Sequence, residues 1–338
     1  EIKDKLKHSD FKVFDTGVDH GSLTVTLGKQ KYELTTLRKD IRSDGRHSKI
    51  EIISDWKEDS NRRDFTINAI YMSKDGKLFD PQNGIDDLRN NIIKFIGDPQ
   101  TRIKEDFLRI IRYLRFSIQY QSIVDDSTLE AIRLNLNGIK KISKERILNE
   151  FTKILNLKNF YKINDNEKLK SIFLLIFPEI KYLNRIKKTV SDEKIFYENI
   201  INKFALLTVD ETNNYEYFCH KYKTSNKVSE RIKVIAKEYS LIKKDKKYFE
   251  TNIKKMLYFL GKETVEILNL LQYADKIQKD VEVNKKKYEV FSTTKERINK
   301  IKIPKFPYDG EYLKQRGFSE GELLGKTLKL IEIEWVDQ

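Results

Sequence analysis

Glu105, Asp106 and Arg109 sit in a stretch that reads, from 102 to 118, Arg-Ile-Lys-Glu-Asp-Phe-Leu-Arg-Ile-Ile-Arg-Tyr-Leu-Arg-Phe-Ser-Ile. Residues three and four apart are neighbours on a helix, so both carboxylates fall beside the Arg109 guanidinium, with Arg112 and Arg115 extending the basic row. Two readings fit. In one, this is a solvated helix face whose ion pairs contribute about 0.2 to 0.5 kcal/mol each. In the other, a rigid Asp–Arg pair presents acceptors and donors in one plane, as the Watson–Crick edge of a base requires, and the further arginines suit triphosphate oxygens. A second group, Arg62-Arg63-Asp64, sets two adjacent guanidiniums at the mouth of an apolar stretch, an arrangement that favours phosphates. A third candidate, Glu33, is either a solvent-facing strand residue or part of a metal site.

The elements that must position these groups are legible as periodicities. Ile103, Phe107, Ile110, Ile111, Leu114 and Ile118 recur at helical spacing, which predicts one amphipathic helix over 102–118 with its apolar face in the core. Upstream, 11–14 reads as a short strand, 22–27 alternates, Gly28-Lys29-Gln30 turns and 31–37 returns, a β-hairpin that carries Glu33. Residues 38–48 lose periodicity around Gly45 and read as a mobile loop. From Asp59 to Met72 the arginine pair leads into a buried strand, and Asp75-Gly76 turns. Glu1 to His8 resembles the later half of a helix already under way.

Beyond Ile118 the pattern is almost wholly helical. Ser143 is a candidate N-cap for a helix with an Ile147, Phe151, Ile154 and Leu155 stripe, and Pro178 ends another after Phe177. Pro304 and Pro307 mark a connection. Ser319-x-x-Glu322 has capping-box form ahead of a last stripe of Leu324, Leu328, Ile331 and Trp335.

The chain's 338 residues suffice for two or three domains, and 39% apolar residues can build real cores. Its 66 Lys and Arg against 52 Asp and Glu leave a net charge of +14, which favours a polyanionic partner, nucleic acid first, although a compositional drift of the genome gives the same balance. The longest apolar run, 172–177, is six residues, far below the roughly 20 that span a bilayer, and the first ten residues carry no signal-peptide pattern. No membrane partner is expected. The single cysteine, Cys219, rules out an internal disulfide and fits a reducing cytoplasm; His8, His20, His47 and His220 are too scattered for a zinc cluster.

Three segments in order carry a family resemblance: Arg62-Arg63-Asp64-Phe65-Thr66-Ile67-Asn68-Ala69, then Asp80-x3-Gly84-x2-Asp87-Leu88, then Glu105-Asp106-x2-Arg109. They resemble successive motifs of the class II tRNA nucleotidyltransferases, the family of CCA-adding enzymes and bacterial poly(A) polymerases. His20 to Val25 and Tyr32 to Arg38 resemble its head-domain strands, and Asp44-Gly45-Arg46 its flexible loop. The resemblance implies an α+β protein: a nucleotidyltransferase (polymerase beta-like) head with a mixed β-sheet over 1–99, a helical neck over 100–158, a body over 159–300 and a tail over 301–338.

It further implies CCA addition to tRNA 3′ ends from CTP and ATP, with poly(A) polymerase as the alternative. Arg62, Arg63, Asp64 and Asn68 would handle ribose and triphosphate; Asp106 and Arg109 would read the base, Glu105 holding Arg109, with Arg112 and Arg115 near phosphates. Asp44, Gly45 and Arg46 would switch between nucleotides. Asp80, Gly84 and Asp87 would form the head–neck joint, where Lys94 stands in place of the family's more frequent Arg. In the family a Gly-rich segment and the Asp-x-Asp pair that binds Mg²⁺ precede the stretch with which this chain opens, so that the metal-binding pair is expected upstream of Glu1, and Glu33 resembles the third acidic residue. The expectation is therefore a truncated head, completed by preceding sequence or by a separate N-terminal polypeptide, and little catalysis by this chain alone. The alternative of another class is a catalytically dead remnant that binds RNA.

Overall fold

The computed structural model describes residues 5–6, 9–15, 21–43, 48–245, 247–282 and 284–337. The chain forms two compact units, one of residues 1–159 with 165–177 and one of 160–164 with 178–338. An α+β part is followed by helices, and among the described residues no helix is long and apolar enough to cross a membrane.

In the first unit the described strands form three small antiparallel sheets rather than one mixed sheet. Strands β1 (Lys12–Phe14), β2 (Ser22–Leu27) and β3 (Gln30–Thr35) pair in order, with Thr24 opposite Glu33. The stretch read as an aperiodic loop is instead a second hairpin, β4 (Arg38–Ser43) with β5 (Ser48–Ile52). A break in register between Asp40 and Arg42 hides the alternation that the sequence would otherwise display. Asp44, Gly45 and Arg46 lie outside the described residues, and so do Glu1 and most of the partial helix expected to run from it to His8.

Helix α1 (Trp56–Asn61) delivers the arginine pair, and the expected buried strand is a 3₁₀ turn, Thr66–Asn68, followed by a two-residue strand β6 (Tyr71–Met72) paired with β7 (Leu78–Phe79). Met72 is 71% exposed, so the apolar stretch is not a core strand. What is buried is Phe65. Residues 64–66 run beside 94–96 through the Thr66 N–H to Lys94 carbonyl and Ile96 N–H to Asp64 carbonyl bonds, and the Phe65 ring meets Phe95, Tyr113 and Phe116 at 4.7, 6.2 and 5.5 Å.

Helix α2 (Gly84–Arg89) begins where Asp80 accepts from the Gly84 and Ile85 N–H groups at 2.9 and 2.8 Å. A Cβ on Gly84 would lie 2.2 Å from the Thr66 carbonyl, so glycine is what allows α2 to touch the 3₁₀ turn. The Asp87 carboxylate fixes the same contact by accepting from the Thr66 hydroxyl at 2.7 Å.

The predicted helix over 102–118 is two helices, α3 (Pro99–Glu105) and α4 (Leu108–Tyr120), separated at Asp106, which is extended (φ −151°, ψ 107°). The apolar spacing continues through the break, so periodicity could not reveal it. Asp106 ends one helix, and its carboxylate accepts from the Leu108 N–H at 3.0 Å, a local side-chain bond that leads into the next. Phe107 then packs against Gly138, where a Cβ would fall 2.0 Å from the ring. Helix α5 (Asp126–Asn135) and helix α6 (Lys144–Leu155) come next, the latter capped by Ser143 and burying Ile147, Phe151, Ile154 and Leu155 as its stripe requires.

The second unit is helical. Arg185, 2% exposed, donates to the Leu206 and Val209 carbonyls at the end of helix Ile200–Thr208 and to Asp275 at 2.8 Å, satisfying carbonyls that a helix leaves open. The last helix starts at Glu322 after Gly321, so Ser319 does not occupy its expected capping position; Trp335 meets Tyr258 and Phe306 at 5.9 and 5.5 Å.

Candidate functional site

The arginine pair and the α3–α4 break meet on one wall of the first unit. Arg112, on α4, donates through Nε to Asp64 at 2.6 Å, joining two segments 48 residues apart. Asp64 also accepts from the Asn68 amide at 2.9 Å. Burial pushes the Asp64 carboxyl up, but the Arg112 charge and hydrogen bond outweigh it and hold it below the usual carboxylate range. Arg102, on α3, donates to the Arg62 and Arg63 carbonyls at 2.8 and 2.5 Å, so the backbone of the pair is pinned by the helix that ends at Glu105.

Glu105 lies between two guanidiniums. Its Oε2 accepts from Arg102 at 2.7 Å and from Arg109 at 2.5 Å, and Arg109 also donates to the Arg102 carbonyl at 2.8 Å. The expected direct pairing of Asp106 with Arg109 is not formed. With Asp106 extended rather than helical, its carboxylate turns to Arg146 of α6 at 2.7 Å, a residue that sequence reasoning missed. The Glu105–Arg109 contact survives the break; the Asp106 and Arg109 side chains do not pair, though the two residues stay adjacent through the Arg109 N–H to Asp106 carbonyl bond at 3.0 Å.

Arg115 is not brought to this wall. It donates to Glu150 of α6 at 2.8 Å, beside Lys153, and stacks on Phe116 at 4.1 Å. Glu150 is 3% exposed, and its two cations outweigh burial and lower its carboxyl. Arg146 and Glu150 stand four apart behind the Ser143 cap, a spacing visible in the sequence, but nothing local tells that their partners lie about 35 to 40 residues upstream.

Beneath the arginine pair lies Asp59, 0% exposed, which accepts from Arg62, Arg63, the Tyr71 hydroxyl and the Arg38 N–H. Burial raises its carboxyl, yet the Arg38 N–H and the two guanidiniums bring it down to about 2.

Glu33 stands apart from all of these, exposed on β3 and 3.8 Å from Lys31. Among the described residues no three His, Cys, Asp or Glu side chains gather where they could hold a metal ion. Glu1, ahead of which the metal-binding Asp pair is expected, is itself outside the described residues. Among the described residues the donors do not gather into a Mg²⁺ site.

The wall thus combines fixed cations at Arg62, Arg63 and Arg112 with a carboxylate and a guanidinium, Asp106 and Arg109, each held by its own partner. Such a wall can take a polyanion and read donors and acceptors on a base edge.

Comparisons with known proteins bear on the family and the fold. Residues 1–94 match the family described as "Poly A polymerase head domain", and residues 123–183 that described as "Probable RNA and SrmB- binding site of polymerase A". The CCA-adding enzyme of Lactobacillus helveticus is 30% identical over 345 residues, covering 97% of this chain and 80% of that protein. Mitochondrial CCA tRNA nucleotidyltransferase 1 of Homo sapiens is 43% identical over 162 residues, 46% of this chain but only 37% of the human protein. The fold is shared with the Bacillus stearothermophilus CCA-adding enzyme in complex with CTP (TM-score 0.66, 22% identity, 95% of this chain and 78% of that one). It is also shared with the Thermotoga maritima CCA-adding enzyme complexed with tRNA (TM-score 0.62, 18% identity, 99% and 78%).

Proposed function

The chain belongs to the family of class II tRNA nucleotidyltransferases, the CCA-adding enzymes and bacterial poly(A) polymerases, and from that premise we propose that it serves CCA addition to tRNA 3′ ends from CTP and ATP. In the reaction the terminal hydroxyl of tRNA forms a bond to the α-phosphorus of the nucleotide, and pyrophosphate leaves. The observation that carries the reading is the Arg112–Asp64 bond, which sets phosphate-seeking arginines and the Asp106–Arg109 edge on one wall.

The division of labour follows from hydrogen-bond chemistry. Cytosine and adenine each show an amino donor next to a ring-nitrogen acceptor; uracil and guanine show a carbonyl acceptor next to an N–H donor. A fixed carboxylate at Asp106 accepts from the amino group, and a fixed guanidinium at Arg109 donates to the ring nitrogen, so C and A fit while U and G present both faces reversed. Arg62 and Arg63 take the triphosphate, with Asp64 and Asn68 at the ribose. Arg146 and Glu105 hold the two reading groups; Asp80, Gly84 and Asp87 fix the joint. Mg²⁺, the metal in this reading, is not held by the described residues. The proposed location is the cytoplasm, and what supports it is a single cysteine, Cys219, that is buried and in no disulfide.

The test is nucleotide incorporation on a tRNA ending just before CCA, by the chain alone and by the chain joined, ahead of Glu1, to a Gly-rich, Asp-x-Asp-bearing head segment of a relative. CMP followed by AMP is expected from the joined protein. AMP alone would move the protein to poly(A) addition, the alternative within the same family. RNA binding without incorporation in either form would leave a non-catalytic RNA-binding role.

A further inference from the structure

Arg62 and Arg63 are adjacent cations, and side chains of this length lose considerable rotamer freedom when they close on an anion. In this chain both are held before any anion arrives. Asp59 Oδ1 accepts from Arg62 Nε and Nη2 at 2.9 and 2.7 Å, and Oδ2 accepts from Arg63 Nε and Nη2 at 3.1 and 2.8 Å. Each guanidinium therefore meets Asp59 through the same edge, and the Nη1 of each is turned away from it. The carboxylate is itself fixed by the Arg38 N–H and the Tyr71 hydroxyl, at 3.1 and 2.9 Å, and Arg62 Nε reaches the Arg38 carbonyl at 2.8 Å. One buried negative charge between two cations leaves a net positive mouth, with Arg62 14% and Arg63 34% exposed.

We propose that Asp59 is a positioning residue for triphosphate capture: it locks one edge of both guanidiniums so that the other edges meet the phosphates of the incoming nucleotide together. The proposal rests on the assignment of Arg62 and Arg63 to the triphosphate, and it adds the residue through which they act as a unit. A merely structural Asp59 would set the melting temperature and leave anion affinity alone.

The experiment titrates the full chain with tripolyphosphate and with CTP by calorimetry, below the melting temperature of every variant. Asp59→Asn, which keeps the shape but not the charge, is expected to weaken both by roughly tenfold or more, as two cations must then be ordered on binding. In an Arg62→Gln, Arg63→Gln background the same change has no guanidinium to aim and costs no further affinity. Wild-type affinity in folded Asp59→Asn, or a further loss in the double background, overturns the proposal. Failure of the unaltered chain to bind either polyanion instead removes the reading of the arginine pair. Should Asp59→Asn be unfolded, Asp59→Glu, which keeps the charge but shifts it by one methylene, decides: weaker binding supports the proposal and unchanged binding overturns it.

Discussion

A carboxylate that reads a base must be present, oriented and unable to choose another partner. Asp106 is tied to Arg146 at 2.7 Å and to the Leu108 N–H at 3.0 Å, so its change has two separable consequences. Asp106→Ala is expected to relax the choice of CTP and ATP over UTP and GTP, since a missing polar partner costs about 1 to 3 kcal/mol of discrimination. Steady-state discrimination in whichever form incorporates nucleotide measures this, and unaltered nucleotide choice would reduce Asp106 to a residue of the helix junction. Stability also falls, by about 1 kcal/mol for the lost bond to the Leu108 N–H, because the residue stands at a helix junction and not on an open helix face.

At the level of elements, the junction of α2 with the 3₁₀ turn depends on the missing side chain of Gly84. Gly84→Ala drives a Cβ to 2.2 Å from the Thr66 carbonyl, a backbone atom that cannot rotate away. The expected cost is about 1 to 3 kcal/mol, read as a lower melting temperature. Gly325→Ala is the contrast: it lies in helix Glu322–Asp337 with open space around it, so the better helix former is expected to be neutral or to stabilise by up to about 1 kcal/mol. Equal effects at both glycines would contradict the close approach. Asp98, with Pro99 at the first helical position, opens α3 by accepting from the Thr101 N–H at 2.8 Å; the Asp-Pro pair is a helix start signal that stands in the sequence.

For the molecule as a whole, several internal carboxylates are held ionised in the folded state. Burial raises Asp59, Asp64, Glu150 and Asp275, but in each case neighbouring cations and hydrogen bonds win: at Asp59 the Arg38 N–H and two arginines, at Asp64 Arg112, at Glu150 Lys153 and Arg115, at Asp275 Lys243 and Arg185. A folded-state value below the unfolded one contributes stability above the unfolded value and loses it as pH falls through the folded one. For Asp59, at about 2, the loss runs from about pH 4 downward and amounts to about 2 kcal/mol. Acid titration followed by circular dichroism is expected to show stability falling across that window. Asp59→Asn should be less stable at neutral pH and lose less between pH 4 and 2; an unchanged pH dependence would contradict the assignment.

The order of motifs, the helical character beyond Ile118, strand β2, the Ser143 cap and its buried stripe were all in the sequence, because each rests on local spacing or on residue identity. The candidate residues stood out for the same reason: Arg62, Arg63, Asp64, Asp106 and Arg109 are residue types that suit phosphates and base edges. The partners were not. That Asp106 turns to Arg146 and not to Arg109, that Arg115 is spent on Glu150, and that Arg112 reaches Asp64 depend on one extended residue and on chain segments about 35 to 48 residues apart. Side-chain periodicity reports which face is apolar and carries through a break without a trace; where a charge finds its counter-charge is decided only when the core that aligns the helices has formed.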